Sequence, residues 1–329
     1  MFKIHNLDIL VPVYNEEQCL ADFVTRLLCS LDGMSYSYSV IFVDDGCTDR
    51  SLSIIKDTCN RYQQCGYIRL SRNFGKEIAM SAGIDFSQSD ALVIIDADLQ
   101  DPPELIPELV AKLEKEQADV VYAKRRVRHG DSRFKRLCAS QFYWLFDKFS
   151  RFSFPRDTGD FRVLRKRVVI ALQGIGETNR FMKGLFAWVG YHQVEFLYDR
   201  DPRHQGKSKF NFLKLLNLAL DGITAFTVIP IKVATYVGSL FSVFAILYSL
   251  YFLIKTMIWG DPVRGFPTLI VAMSFFSGVQ LMFLGIIGEY VARTNIEVKN
   301  RPLYLVDESV LPMCFVDSSN SNKNNSKSR

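Results

Sequence analysis

Two aspartates and a glutamine follow a short apolar stretch in the first third of the chain. Asp96, Asp98 and Gln100 come after residues 91–95, an apolar run with the length of a buried strand. Alternate side chains of extended backbone share a face, so the three point the same way if the extended form continues. Their oxygens suit a hard cation that also binds substrate phosphates. The spacing therefore indicates a metal–diphosphate site, with a surface turn as the alternative.

Polar residues also end three other predicted strands, at 7–11, 40–43 and 119–123. They are Pro12, Tyr14 and Glu16 after the first strand, Asp44 and Asp45 after the second, and Arg125 after the third. Helical patterns separate the strands, and this alternation predicts an α/β fold with a mostly parallel, wound sheet. In such sheets ligands lie outside the carboxyl ends of the strands. We therefore expect the four polar clusters to meet at one edge.

The composition indicates a soluble part joined to a membrane part. Hydrophobic residues make up 48% of the 329 positions and charged residues 23%, with a mean hydropathy of +0.06. A net charge of +5 is too small to indicate nucleic acid as a partner. The seven cysteines contain no C-x-x-C pair, which is typical of reduced thiols facing the cytoplasm. The N-terminus has a strand pattern and no signal peptide.

Two uncharged stretches near the C-terminus are long enough to cross a bilayer. Residues 233–254 and 265–288 contain no charged side chain, and a short polar link at 259–262 joins them. A helix of about 22 residues spans about 33 Å, against a bilayer core of about 30 Å. The pattern predicts a transmembrane hairpin with both flanks on one side, and the basic residues in those flanks favour the cytoplasm. A buried hairpin in a soluble core is the alternative.

The segments beside the hairpin complete the predicted organisation. A cytoplasmic catalytic domain at 1–209 precedes an amphipathic helix at 210–229, which suits a membrane interface or a core-facing position. Two transmembrane helices follow at 230–290, and small residues within them permit a homo-oligomer. Residues 291–329 form a cytoplasmic tail that is disordered from about 317, where the sequence becomes polar and of low complexity.

Several motifs together resemble glycosyltransferase family 2, whose members have the GT-A fold. They are V-P-V-Y-N-E-E at 11–17, V-D-D-G-C-T-D at 43–49 and D-A-D-L-Q-D-P-P-E at 96–104. Later segments resemble the polyisoprenyl-phosphate glycosyltransferases, which include GtrB-type bactoprenol glucosyltransferases and relatives of dolichol-phosphate mannose synthase. These segments are L-S-R-N-F-G-K-E at 70–77, D-T-G-D-F-R at 157–162, R-F-M-K-G-L-F-A-W-V-G-Y at 180–191, R-H-Q-G-K-S-K at 203–209 and G-E-Y-V-A-R at 288–293. The chain departs from the family at Cys47, where serine is usual, and at Lys207.

The resemblance implies roles for individual residues. The nucleotide sugar would lie against Pro12, Tyr14, Glu16, Val43, Asp45, Asp96, Ala97 and Arg125. Asp98 and Gln100, with Asp96 beside them, would hold Mg²⁺ or Mn²⁺. Phosphates of the donor or of the lipid acceptor would bind Lys135, Arg203, Ser208 and Lys209. The candidate catalytic carboxylates are Asp160 as the base, Asp157 as the runner-up, and Asp96.

The implied protein is an inverting, metal-dependent hexosyltransferase of the inner (plasma) membrane. It would be multi-pass and would move a hexose, with UDP-glucose as the expected donor, onto polyprenyl (undecaprenyl) phosphate at the cytoplasmic face. A phosphate monoester is mostly dianionic at pH 7, so we expect Asp160 mainly to position the acceptor or the anomeric centre. Two alternatives share the fold. A processive polysaccharide synthase would carry a Q-x-x-R-W motif, and the chain has no Arg-Trp pair. A catalytically silent membrane scaffold would not need the acidic motifs.

Overall fold

The computed structural model describes residues 3–126, 158–178, 180–198 and 265–312, together with part of the segment 236–258. The chain divides into two compact units. The first contains the described residues up to Tyr198 and those from Pro302 onward, and the second contains the described residues from 236 to Arg301. The predicted interfacial helix, the basic loop at 199–209 and the end of the tail lie outside the described residues.

The first unit is built on one mixed sheet. Its described strands are β1 (Asn6–Val13), β2 (Ser37–Asp44), β3 (Cys65–Leu70), β4 (Ala91–Ile94), β5 (Val120–Arg125), β6 (Thr158–Arg165), β7 (Gln193–Tyr198) and β8 (Val306–Val310). They lie in the order β7-β5-β6-β4-β1-β2-β3-β8. The pairs β1–β2, β1–β4, β2–β3 and β5–β7 are parallel, whereas β6 is antiparallel to β4 and β5, and β8 to β3. The expected α/β alternation is therefore observed, with two antiparallel strands added.

Helices pack on this sheet. Those of the first unit are α1 (Leu20–Leu31), α2 (Ser51–Arg61), α3 (Lys76–Phe86), α4 (Ile106–Lys115), α5 (Lys166–Gln173) and α6 (Met182–Trp188), with a 3₁₀ turn at Pro103–Leu105. In α1 the buried side chains recur at helical spacing, from Leu20 through Phe23 and Leu27 to Leu31. Burying one such side chain contributes about 1.5–3 kcal/mol, so these stripes hold the helices against the strands.

Strand β8 closes the sheet edge at β3 and is not predicted by our sequence analysis. Arg69 pairs with Glu308, and Ser71 N donates a hydrogen bond to Leu305 O at 2.9 Å. The Glu308 carboxylate accepts hydrogen bonds from the Tyr67 hydroxyl and the Lys56 ammonium, each at 2.6 Å. Residues C-terminal to the apolar segment thus belong to the same sheet as the N-terminal strands.

A glycine allows β8 to approach β3 closely. A Cβ built on Gly66 would lie 2.5 Å from Val310 O and 2.5 Å from Pro312 Cδ. Contacts this short require backbone to move, so position 66 accommodates β8 only without a side chain.

The second unit contains the long helix α7 (Phe266–Val298) and helical residues between 236 and 258. Within α7, Phe275–Val298 is long and apolar enough to cross a membrane, and it is the one helix of this kind among the described residues. The Phe241 ring lies edge-on to the rings of Phe275 and Phe276, at 5.8 and 6.2 Å between centroids. Leu281, Met282 and Leu284 are exposed in the chain. An apolar surface of this extent indicates an apolar surrounding.

Candidate active site

The antiparallel pairing of β4 and β6 brings two sequence-predicted carboxylates together. Ile94 of β4 pairs with Arg162 of β6. The pairing ends there, and Asp96 follows β4 by two residues while Asp160 lies in β6 two residues before Arg162. Lys76, the first residue of α3, contacts both of them. Its Nζ lies 2.6 Å from Asp96 Oδ2 and 2.5 Å from Asp160 Oδ2. The site therefore contains an ammonium bridging two carboxylates.

Burial and charge act in opposite directions on these carboxylates. Burial disfavours ionisation of Asp160, but the Lys76 ammonium, with Lys183 and Arg162, outweighs burial and lowers the pKa of Asp160 to about 2. Burial raises the pKa of Asp96, although Lys76 acts against that change. Asp160 is consequently a permanent anion at neutral pH.

One oxygen of each carboxylate remains available to a ligand. Asp96 Oδ1 and Asp160 Oδ1 are buried and have no hydrogen-bond partner among the described residues. Buried polar atoms are nearly always paired in native proteins. These two oxygens can therefore accept hydrogen bonds from a substrate or bind a cation.

The backbone does not stay extended after β4. The strand ends at Ile94, and Ala97 and Asp98 form a turn in which Asp98 Oδ1 accepts the Gln100 N–H at 3.0 Å. Leu99 adopts a left-handed φ of 58°. Asp96, Asp98 and Gln100 therefore do not share a face as residues of an extended strand would. The backbone turns because the Asp98 carboxylate accepts a hydrogen bond from the backbone two residues further on. Gln100 is buried, whereas Asp98 is partly exposed.

The turn after β4 still offers oxygen atoms as possible ligands for a metal ion. No group of three His, Cys, Asp or Glu side chains capable of holding a metal ion occurs within the described part of the chain. Asp96 Oδ1 is buried without a partner, and the Asp98 carboxylate is near it in sequence. Mg²⁺ usually takes only one or two carboxylates from the protein and completes its shell with water and substrate phosphate. The turn thus fits such a cation.

Asp45 fixes the start of the helix that carries Lys76. Its two carboxylate oxygens accept the N–H groups of Phe74 at 2.7 Å and Gly75 at 2.9 Å. Gly75 has φ 100°, a left-handed conformation that favours glycine, immediately before Lys76. Burial raises the pKa of Asp45, and the two N–H groups oppose that rise. The predicted nucleotide residue Asp45 therefore shapes the site through the backbone of the neighbouring segment.

The loops after β1 and β2 are joined by side-chain contacts. Asn15 Oδ1 accepts the Thr48 N–H at 2.8 Å, and Glu16 N donates to Ser51 Oγ at 2.9 Å. Cys47 Sγ accepts the Asn15 N–H at 3.2 Å, and burial raises the pKa of this thiol to about 12. The Cys47 thiol is therefore uncharged at neutral pH and accepts a hydrogen bond, as a serine hydroxyl could at this position.

A second thiol joins this loop to the turn after β4. Cys19 Sγ donates to Glu16 Oε2 at 3.3 Å and lies 3.4 Å from Ala97 O. Pro12 and Val43 lie opposite each other, one residue before the ends of the paired strands β1 and β2. Tyr14 is 43% exposed, which leaves its ring free to contact a ligand. The structure thus brings most of the predicted nucleotide residues to one edge.

The remaining predicted residues are only partly placed. Arg125 is the last residue of β5, paired with Tyr198 of β7. The other predicted residues, Asp157, Lys135, Arg203, Ser208 and Lys209, lie outside the described residues.

Three charged residues at the site are not among our predicted site residues: Lys76, Glu77 and Arg162. Glu77 Oε2 accepts the Met182 N–H at 2.9 Å, and burial, with the charge of Asp160, raises the pKa of Glu77 to about 7. The Arg162 guanidinium lies 3.8 Å from the Phe186 ring centroid and donates to Gly159 O at 2.8 Å. The motifs N-F-G-K-E and D-T-G-D-F-R contain all three, but only the fold shows what they contact.

Comparisons with known proteins show the family to which this chain belongs. Residues 8–172 match the model of glycosyl transferase family 2, and residues 229–294 match the GtrB C-terminal hairpin. An uncharacterized glycosyltransferase of Synechocystis is 48% identical over 302 residues, covering 92% of this chain and 95% of the relative. The uncharacterized glycosyltransferase YkcC of Bacillus subtilis is 42% identical over 92% of this chain and 93% of its own length. The SfII prophage-derived bactoprenol glucosyl transferase of Shigella flexneri is 41% identical over 92% of this chain and 98% of its own length.

Proposed function

The chain belongs to glycosyltransferase family 2 and carries the GtrB hairpin, and we propose that it transfers glucose from UDP-glucose to undecaprenyl phosphate. The observation that carries this proposal is the joining of Asp96 and Asp160 by Lys76 beside the nucleotide-type loops after β1 and β2. The 41% identity to a bactoprenol glucosyl transferase supports both glucose as the sugar and a polyprenyl phosphate as the acceptor.

The donor would bind along the edge formed by the loops after β1, β2 and β4. The exposed Tyr14 ring offers a face for the base, and Pro12, Val43 and Glu16 lie at the same edge. Asp45 supports this pocket by holding residues 74 and 75. Ala97 and Asp96 border the sugar and the diphosphate.

The turn after β4 would hold Mg²⁺ or Mn²⁺. Asp98 is the proposed ligand, with Asp96 and Gln100 beside it. When bound, such a cation acts as a Lewis acid that stabilises the negative charge of the departing diphosphate. The side chains of the protein would bind and orient the sugar and compensate the charges around it.

The transfer forms one bond and breaks one. An oxygen of the lipid phosphate attacks the anomeric carbon, the bond from that carbon to the diphosphate oxygen breaks, and the nucleoside diphosphate leaves with the electron pair. Attack opposite the leaving group inverts the anomeric centre. The phosphate is mostly dianionic at pH 7 because its second pKa is near 6, so little proton removal is needed.

Asp160 is suited to positioning in this reaction. A carboxylate with a pKa of about 2 is a weak base, and it stays charged throughout the neutral range. Its buried Oδ1 can accept a hydrogen bond from a sugar hydroxyl. The cations Lys76 and Arg162 lie close enough to reduce its repulsion toward an anionic acceptor.

A lipid acceptor requires the enzyme to work at a membrane surface. Exposing each CH₂ of a polyprenyl tail to water costs about 0.8 kcal/mol. The chain carries the family hairpin at 229–294, and its helix α7 contains a segment able to cross the bilayer.

The sheet supports two crossings. Strand β8 is hydrogen-bonded to β3, so the chain re-enters the first unit after the apolar segment. A single crossing would place β8 on the opposite side of the bilayer from its partner. We therefore propose a multi-pass protein of the plasma membrane with its catalytic unit in the cytoplasm.

Transfer of labelled sugar tests the proposal. Purified full-length protein is incubated with undecaprenyl phosphate, Mg²⁺ and radiolabelled UDP-glucose, and the label in the lipid phase is measured. UDP-galactose, UDP-N-acetylglucosamine and GDP-mannose serve as competing donors. We expect lipid-linked label from UDP-glucose that a chelator abolishes. A long polymer would indicate the processive synthase, and absence of transfer from every donor would indicate the silent scaffold.

A further inference from the structure

We propose that Lys76 is a positioning residue for sugar transfer, which holds the carboxylates of Asp96 and Asp160 at a fixed separation. This inference rests on the proposed function, because it assigns the bridge a task in that reaction. The observation behind it is that one ammonium lies within 2.6 Å of an oxygen of each carboxylate.

The position of Lys76 is set by the fold. It is the first residue of α3 and follows Gly75, whose left-handed backbone is held by Asp45. The base of the side chain is therefore tied to the loop after β2, while its two partners follow β4 and belong to β6. One side chain thus connects three strands of the sheet at the ends where the site lies.

The two carboxylates need such a connection. Asp160 has a side chain that is only 9% exposed, and Asp96 is 24% exposed, so solvent screens their mutual repulsion poorly. Removing the partner of a buried charge is strongly destabilising, because the remaining charge is left uncompensated. Without Lys76 the two aspartates would move apart, or one would take up a proton.

Other charged groups nearby do not replace this bridge. Arg162 donates to the backbone carbonyls of Gly159 and Asp160, and its guanidinium packs on Phe186. Glu77 is an acid, which is neutral or negative, so it cannot supply the positive charge of the ammonium. Among the described residues, Lys76 is the cation within ion-pair distance of both carboxylates.

The bridge also leaves the other oxygen of each aspartate unengaged. Lys76 contacts Oδ2 of each residue, whereas Oδ1 of each has no partner in the described part of the protein. We infer that Lys76 sets where these two Oδ1 atoms meet the donor sugar. A displacement of about 1 Å at a reacting centre can cost about 10²-fold in rate.

An unfolding cycle tests the bridge without any substrate. Unfolding free energies of detergent-solubilised wild type, Lys76→Met, Asp160→Asn and the double variant are compared. We expect Lys76→Met to reduce the unfolding free energy by clearly less when Asp160 is already asparagine. The effects of substitutions within one ion-pair network are not additive. Additive losses would show that Lys76 and Asp160 do not interact and would overturn the inference.

Measurements of kcat and KM test what Lys76 does in sugar transfer. We expect Lys76→Met to lower kcat about 10²-fold with little change in the KM for UDP-glucose, and Lys76→Arg to recover at least about tenfold of that loss. In the Asp160→Asn background, Lys76→Met should cause no further loss of kcat. Lys56→Met, which breaks an ion pair with Glu308 at the sheet edge, is the matched control and should leave kcat unchanged.

Each outcome decides a separate question. A rise in KM at constant kcat would show that Lys76 binds the donor and positions nothing, which overturns the inference. An equal loss of kcat with and without Asp160 would do the same. Wild type that transfers no sugar to undecaprenyl phosphate would instead refute the proposed function, while the unfolding cycle still shows whether the bridge exists.

Discussion

At the scale of single residues, the central feature is a carboxylate that stays ionised. Lys76, with Lys183 and Arg162, outweighs the effect of burial and lowers the pKa of Asp160 to about 2. A general base works best when its pKa is near the operating pH, and Asp160 is far from that condition. The residue therefore contributes a fixed negative charge and a hydrogen-bond acceptor.

Replacing Asp160 should abolish most activity at every pH. We expect Asp160→Asn to lower kcat about 10²-fold or more, uniformly from pH 6 to pH 9, because positioning does not depend on proton uptake in that range. A pH–rate profile of lipid glucosylation measures this. Asp32→Asn, at an exposed aspartate after α1, is the control. Recovery of the wild-type rate at high pH would identify Asp160 as a base.

Glu77 should make stability depend on pH. Burial, with Asp160, raises its pKa from 4.5 to about 7 in the folded protein. The folded state therefore holds a proton that the unfolded state releases between these values. The contribution of Glu77 to stability is full below pH 4.5 and is lost as pH rises to about 7. A change in the pKa of Glu77 from 4.5 to about 7 corresponds to about 3 kcal/mol of unfolding free energy.

The variant Glu77→Gln separates this contribution from all others. It keeps an acceptor for the Met182 N–H but cannot titrate. Denaturant unfolding at pH 5, 6, 7 and 8 should show wild type losing stability relative to Glu77→Gln as pH rises. Glu116→Gln, at an exposed position after α4, should run parallel to wild type. A constant difference between wild type and Glu77→Gln would contradict the assignment.

At the scale of elements, β6 positions a residue of the candidate site and β8 covers an edge of the sheet. Antiparallel β6 places Asp160 beside the turn after β4, and β8 covers the edge strand β3. An uncovered edge strand exposes unpaired backbone groups that invite pairing with other chains. The strand after the apolar segment is therefore part of the catalytic unit and stabilises its sheet.

Gly66 should be essential for docking β8. A Cβ at this position would lie 2.5 Å from Val310 O, so Gly66→Ala must displace β8 or β3. Overpacking of this kind typically costs about 1–3 kcal/mol. Hydrogen exchange followed by mass spectrometry should show faster exchange at 306–310. Gly176→Ala is the matched control, since its Cβ would meet nothing within 4 Å. Equal protection in both variants would show that β8 tolerates the added methyl group.

At the scale of the whole molecule, one chain combines a family 2 glycosyltransferase domain with a hairpin. The pairing of β8 with β3 returns the chain to the first unit after the apolar segment. Any passage through a bilayer must then occur an even number of times. On this ground we propose two spans, at the uncharged stretches 233–254 and 265–288.

Reporter fusions should place both ends of the chain on one side of the membrane. We expect green fluorescent protein to fluoresce when fused to either terminus, because it folds in the cytoplasm. Alkaline phosphatase inserted in the link at 259–262 should be active, because it requires the opposite compartment. An active phosphatase at the C-terminus would show an odd number of crossings and would be incompatible with the β3–β8 pairing.

Local sequence patterns determined much of this protein. Apolar runs ending in acidic motifs predicted the α/β fold, and the family match confirms the glycosyltransferase assignment and the hairpin. These features can be predicted because strand and helix periodicity, and the chemistry of a motif, are expressed within a few neighbouring residues.

Only the tertiary structure decided which distant residues meet. Lys76 contacts a carboxylate 84 positions away, and Tyr67 contacts Glu308 at a separation of 241. Periodicity shows that a strand exists, but it does not specify the neighbour, the direction or the register of its pairing. The antiparallel pairing of β4 and β6 brings Asp160 of β6 near Asp96, which follows β4, and Lys76 contacts both. The Asx turn at Asp98 ended the extended backbone that spacing alone suggested. Pairing depends on packing across the whole sheet, and for that reason the fold was needed to reveal the ion bridge and the returning strand.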